Sequence, residues 1–196
     1  MSSQIEVILT DGRQVRAVYG SKNHSHLSIV NSGNLEEYNF FLEDYFDLSS
    51  GELSSEILMK NIINGTTEHT YYEHLLLDKG QAKYGKSTLG AVYSYLVRDM
   101  CIYYGKVINR NTDQWPMLPA VLAHFENNNR SYFDHPFSLD FPHIYIVLLK
   151  ELDSKHQQYT DTFKVKYPGE IELQKDLDFI FTKAKEEQLN IFFCNY

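Results

Sequence analysis

Along the chain, the spacing of apolar positions switches between a strand-like period of two and a helix-like period near 3.6. Ile5, Val7 and Leu9 alternate with other residues in IEVILT, as do Val15, Ala17 and Tyr19 in QVRAVYG. Each run would bury one face of a strand. Asp11-Gly12 between them is a two-residue turn signal, so an N-terminal β-hairpin is expected. LSIV (27–30) would add a third strand, followed by a loop at Asn31-Ser-Gly-Asn. From Leu35 the period lengthens. Leu35, Tyr38, Phe41, Leu42, Tyr45 and Phe46 share one helical face, with acids on the other. Ser49-Ser50-Gly51 interrupts that helix. Ser54 or Ser55 then opens a second one through Ile57, Leu58, Ile62 and Ile63, which Gly65 stops.

HTYYEHLLLD (69–78) reads as a strand. Leu89, Val92, Leu96, Val97 and Met100 mark a helix from Ser87 to Tyr104, with Gly105 placed as its C-terminal stop. KVIN (106–109) is a short strand, and Pro116 and Pro119 flank the start of a helix running to Glu126. Residues 127–143 read as a long irregular connection, a kind of segment that is often functional or mobile. HIYIVLLKEL fits either a strand or a helix, and DTFKVKYP reads as a strand able to pair with it. Residues 170–188 form an amphipathic helical pattern, and NIFFCNY a final strand. No internal repeat, low-complexity tract or linker divides residues 1–196. The expected architecture is a single α+β domain with a mixed or mainly antiparallel sheet, an N-terminal β-hairpin and several packed amphipathic helices.

Composition supports a packed core: 43% of the 196 residues are hydrophobic, and 15 Tyr and 12 Phe supply large apolar area. No run approaches the roughly 18 apolar residues of a membrane span, and MSSQIEVILTDGR lacks the basic and apolar regions of a secretory signal. A cytoplasmic location follows as an expectation. Cys101 and Cys194, far apart and outside any C-x-x-C pattern, are then expected to be reduced thiols, Cys101 an inert one inside its helix. The net charge of −8 weighs against general nucleic-acid binding.

The distribution of charge changes the picture more than its sum. From Asn23 to Met59 there is no Lys or Arg, while Glu36, Glu37, Glu43, Asp44, Asp47, Glu52 and Glu56 are all acidic. From Lys79 to Arg110 the bases are Lys79, Lys83, Lys86, Arg98, Lys106 and Arg110, against Asp99 alone. An acidic, Tyr-bearing surface suits a basic protein partner, because Tyr offers contact area at low entropic cost and carboxylates steer encounter. Glu36, Glu37, Glu43 and Asp44 are the candidate partner-binding residues. The function expected on this reading is protein binding or inhibition of the immunity type.

The basic segment offers a second candidate. GQAKYGKST (80–88) satisfies the G-x-x-x-x-G-K-[ST] phosphate-loop pattern, in which backbone N–H groups wrap phosphates and the Lys and Ser/Thr reach oxygens and Mg²⁺. Ala82, Lys83 and Tyr84 occupy positions where such loops usually carry small residues, and no apolar strand ending in Asp follows to hold the metal. The span GAVYSYLVRDMCIYYG (90–105) resembles the pyrophosphate-binding helix of GNAT-type acetyltransferases, with a basic Gly-containing turn before it and a Gly closing it. The resemblance implies an acyltransferase fold and acetyl-CoA held at the helix entrance. Its signature [QR]-x-x-G-x-[GA] is not matched, since Gly85 and Gly90 stand five apart. Both readings converge on an anion or cofactor site, for a nucleotide or acetyl-CoA, at Lys83, Gly85, Lys86, Ser87, Thr88 and Gly90, where a helix start would supply free N–H groups. His24-Ser-His26, His69, Glu73 and His74 have no recognised metal-ligand spacing, and no metal site is assigned.

Overall fold

The computed structural model describes residues 5–67, 69–108, 133, 135, 136, 138, 142–166, 169 and 171–195. The helix expected after Pro116 and most of the 127–143 connection lie outside these residues. The fold is α+β, as expected, and its sheet has four strands in the order β2-β1-β4-β3. These are β1 (Ile5–Thr10), β2 (Gly105–Val107), β3 (His143–Val147) and β4 (Asn190–Asn195). The chain divides into two compact units. The first comprises Met1–Gly12, Tyr104–Arg130 and Ile144–Tyr196, and the second Arg13–Tyr103 and Ser131–His143.

In the first unit β1 pairs on both edges. It runs antiparallel to β4, Ile5 opposite Asn195 and Thr10 opposite Asn190, and antiparallel to β2, Thr10 opposite Gly105. Ile5, Val7 and Leu9 of β1 point to one face with Tyr145 and Val147 of β3 and Ile191 and Phe193 of β4. Two helices cover that face: α5 (Leu152–Lys166) through Leu152, Tyr159 and Phe163, and α6 (Ile171–Glu187) through Leu177, Ile180, Phe181 and Ala184. The α6 spacing of three, four and seven places these side chains on one helical stripe. Ile8, Phe192 and Cys194, on the other face, are also fully buried. A strand buried on both faces reads as a continuous apolar run, which is how IEVIL appears. Across the α5–α6 pair His156 stacks on Phe181, centroids 4.8 Å apart, and its Nε2 lies 2.7 Å from Asp178.

The second unit, among its described residues, is helical. It holds α1 (Gly12–Val18), α2 (Ser32–Glu43), α3 (Ser55–Asn64) and α4 (Ala82–Tyr103), joined by short 3-10 turns. Helix ends follow the expected chemistry. The Ser54 hydroxyl accepts the Ile57 N–H, and Gly65, in the left-handed region at φ 73°, closes α3 by donating to Asn61 and Ile62 carbonyls. Leu58, Met59, Ile62 and Ile63 of α3 and Leu89, Val92, Tyr93, Leu96, Val97 and Met100 of α4 are buried.

Several expectations need correction. Residues 14–19 are not the second arm of a hairpin, because Gly12–Val18 is helix α1 with Val15 and Val18, three apart, both fully buried. The partners of β1 are instead β2 and β4, and its pairing with β2 spans the whole 13–103 segment rather than a two-residue turn. LSIV lies in a 3-10 turn (His24–Ile29), and the Asn31-Ser-Gly-Asn loop is the start of α2. The 69–78 strand is a 3-10 turn (His69–Leu75) followed by one isolated bridge, Phe46 to Leu76. DTFKVKYP continues α5 as far as Lys166, and Val165 is 80% exposed, so its K-V-K alternation has no face to bury. HIYIV resolves as strand β3, with a 3-10 turn at Leu149–Glu151.

Phe181 and Phe179 lie two residues apart on α6, one fully buried and the other half exposed. Phe181→Ala is expected to lower stability by about 3–5 kcal/mol in chemical denaturation. Phe179→Ala is expected to change it by no more than about 0.5 kcal/mol.

Candidate functional site

Helix α2 begins at an Asn31 cap whose side chain accepts the Asn34 N–H at 2.8 Å. It turns Tyr38 and Leu42 inward. The opposite side carries Glu36, Glu37, Glu43 and Asp44, all exposed and none paired with a cation among the described residues. Between them stands Phe40, 67% exposed. At 100° per residue Phe40 lies within about 60° of all four carboxylates on the helical wheel, one turn after Glu36 and Glu37 and one turn before Glu43 and Asp44. Phe41 is partly exposed rather than part of the buried face; its ring stacks on Tyr95 of α4, centroids 5.3 Å apart. The four partner-binding candidates thus share one face. Phe40, which the sequence reading passed over, is at its centre. The signal was available in its spacing from Glu36 and Glu43.

A buried carboxylate anchors the back of α2. Asn34 Nδ2 and Tyr38 Oη both donate to Asp99 Oδ2 of α4, at 2.9 and 2.8 Å, while Arg98 donates to Oδ1 at 3.1 Å. Tyr38 also stacks on the Tyr95 ring at 5.1 Å. Asn34 and Tyr38 are four residues apart, so one oxygen fixes the rotation of α2 and hence the outward direction of Phe40. Burial pushes the Asp99 carboxyl above its ordinary value, and the bonds from Asn34, Tyr38 and Arg98 pull it only partly back. Burial, with the Asp99 charge beside it, also raises the Tyr38 hydroxyl, which stays a donor at neutral pH.

The anion-site residues are brought together differently from the expectation. Lys79–Gln81 is a 3-10 turn and α4 begins at Ala82, so residues 83–90 are helix and neither phosphate loop nor pyrophosphate turn is formed. Lys86, Ser87 and Thr88 lie beyond the first turn, where intrahelical bonds occupy their N–H groups. The turn before α4 is closed by a carboxylate, Asp78 accepting the Gly80 N–H at 2.8 Å. Lys86 pairs with Glu73 at 3.0 Å, and Lys83 is exposed. Gly85 serves packing. A β-carbon there would run into Leu76 Cδ2 and lie 3.2 Å from Phe46 Cζ. Gly90 is buried within α4.

Among the described residues no group of three or more His, Cys, Asp or Glu is placed to hold a metal ion. His24 and His26 lie on the 3-10 turn, His74 pairs with Glu52 at 2.8 Å, and His135 is buried against Tyr93 with Nδ1 2.8 Å from the Pro136 carbonyl. Cys101 and Cys194 are buried thiols. No described helix is long and apolar enough to cross a membrane. No protein-family model matches the chain, nor does any curated protein or solved structure.

The packing role of Gly85 implies that Gly85→Leu costs about 1–3 kcal/mol in urea denaturation by overpacking. Lys83→Ala, on the exposed side, is expected to stay within about 0.5 kcal/mol. Asp99 sets a pH dependence of defined sign. Its raised folded value means that the native state holds this proton to higher pH than the unfolded chain does. Its contribution to stability therefore falls as pH rises through the window between the two values. Asp99→Asn keeps an acceptor oxygen and removes the charge. The stability difference is expected to move in favour of the wild type as pH falls from neutrality towards about 4. The opposite trend would mean that the hydrogen bonds to the carboxylate outweigh its burial.

Proposed function

We propose that this chain is a protein-binding module whose working surface is the outer face of α2, presented to a cation-bearing surface on a protein partner. The observation that carries the reading is Phe40, 67% exposed at the centre of four carboxylates without cation partners among the described residues. Covering a Phe side chain contributes roughly 1.5–3 kcal/mol, the scale of an interface anchor. The surrounding carboxylates add encounter rate and select against acidic surfaces more than they add affinity. Asp99, Tyr38 and Tyr95 hold the face in one orientation before binding, which lowers the ordering cost of association.

The test places a photoreactive phenylalanine analogue at position 40 and irradiates the protein in an extract of its source cells. A discrete adduct with a protein bearing a basic surface is expected. It should weaken at about 0.5 M salt and vanish when Glu36, Glu37, Glu43 and Asp44 are all changed to Lys. No adduct, or an adduct indifferent to charge reversal, overturns the proposal. Thermal-shift titration with acetyl-CoA, CoA and ATP–Mg²⁺ is expected to leave Tm unchanged. A shift that Lys86→Glu removes would return function to the entrance of α4.

A further inference from the structure

Asn64-Gly65, where α3 ends, is the single Asn-Gly step in the chain. Among the described residues the other asparagine side chains are held. Those of Asn23, Asn31, Asn34, Asn39, Asn61 and Asn190 each take part in a hydrogen bond, and Asn195 is buried. The Asn64 carboxamide is exposed and forms no hydrogen bond among the described residues. The residue after it has no side chain to shield its nitrogen, and the fold requires that it be glycine. Gly65 sits at φ 73°, and a β-carbon there would lie 3.1 Å from Gly20 Cα. We propose that Asn64 is a site of spontaneous deamidation, and that the modification loosens the junction between α3 and the segment leaving α1.

The chemistry needs only water as co-reactant. The Gly65 amide nitrogen gives up its proton and attacks Asn64 Cγ; the N–Cγ bond forms and ammonia leaves, closing a succinimide. Water then adds to either ring carbonyl. Opening at Cγ leaves aspartate, while opening at the main-chain carbonyl carbon leaves an isoaspartyl linkage that runs through the side chain. The folded state gates the first step, because the attacking N–H donates to the Asn61 and Ile62 carbonyls. The Thr66 N–H donates to Asn61 at 2.9 Å, and Tyr19 Oη donates to the Gly65 carbonyl at 3.3 Å. These bonds close the last turn of a helix, the part that opens most readily.

The product acts back on α3. Either form places a carboxylate at the negative end of the helix dipole, and the isoaspartyl form also lengthens the backbone where it turns. Just before that point the Ile62 and Ile63 carbonyls accept the Gly20 and Lys22 N–H groups at 3.0 and 2.9 Å, which ties the exit of α1 to α3.

Incubation of the full chain in mildly alkaline buffer, native and in urea, followed by peptide mass mapping, reads the modification. The peptide holding Asn64 is expected to gain the mass of an amide-to-acid change and to split into two isomers, more slowly in native buffer than in urea. Asn64→Gln should lose the gain, because its longer side chain closes the ring far more slowly. Hydrogen exchange at the Gly20 and Lys22 amides should be faster in the aged protein than in the fresh one, and aged Asn64→Gln should keep the fresh rates. A native chain still unmodified at Asn64 when the urea-unfolded chain has converted fully overturns the site, as does earlier conversion at Asn23, Asn31 or Asn39. Modified protein with unchanged exchange at Gly20 and Lys22 overturns the effect on the junction.

Discussion

Strand β1 is the element on which the sheet depends: it is one of the two inner strands, with β4, and it pairs with β4 over six residues and with β2 over three. Its two faces are buried, so a polar residue at Val7 or Ile8 would lose its hydration on either side. The β1–β2 pairing also fixes chain geometry. The Asp11 N–H reaches the Tyr104 carbonyl at 3.3 Å, so the backbone leaves the sheet and returns to it at nearly the same point. A segment whose ends are held that close can carry a long helical insertion without disturbing the strands that bracket it, and Arg13–Tyr103 is such an insertion.

Within that insertion the same principle operates on a smaller scale. One carboxylate oxygen of Asp99 takes two donors from successive turns of α2, and the rings of Tyr38, Tyr95 and Phe41 stack alongside. A buried ionised group is an expensive way to hold two helices together. It specifies orientation, however: an apolar contact tolerates rotation of α2, while a pair of hydrogen bonds from Asn34 and Tyr38 to one oxygen does not. That directional constraint keeps an aromatic side chain pointed into water at Phe40 rather than folded back onto the helix pair.

The parts of the fold written in local chemistry were legible. Ser54 and Gly65 bracket α3, the apolar period of 89–100 marks the body of α4, and β1 and β4 stand out as β-rich runs. The parts set by distant pairing were not. Val15-Arg-Ala-Val18 carries both a period of two and an i,i+3 pair, and Asp11-Gly12 suits a turn as well as a helix start, so nothing local distinguishes hairpin from α1. HTYYEHLLLD has strand composition but, among the described residues, meets a single bridge, at Phe46. Gly85 matched a phosphate-loop position because a glycine required for approach to Leu76 and Phe46 is indistinguishable in one-letter code from a glycine required for approach to phosphate. At the site itself the four acids stood out by charge, while Phe40 was legible only through its spacing of three and four residues from them.

An exposed aromatic ring is a hazard as well as a binding surface, and the surrounding charges decide which. Two α2 faces meeting head-on would set the carboxylates around one Phe40 against those around the other, a like-charge contact that costs more than two half-covered rings return. Phe179 on α6 stands instead among charges of both signs, Lys175 and Lys183 with Glu172, Asp176 and Glu186. The Phe40 ring is therefore closed to its own kind and open to a surface of opposite charge. Charge placement of this sort leaves an apolar anchor such as Phe40 in water without inviting indiscriminate aggregation.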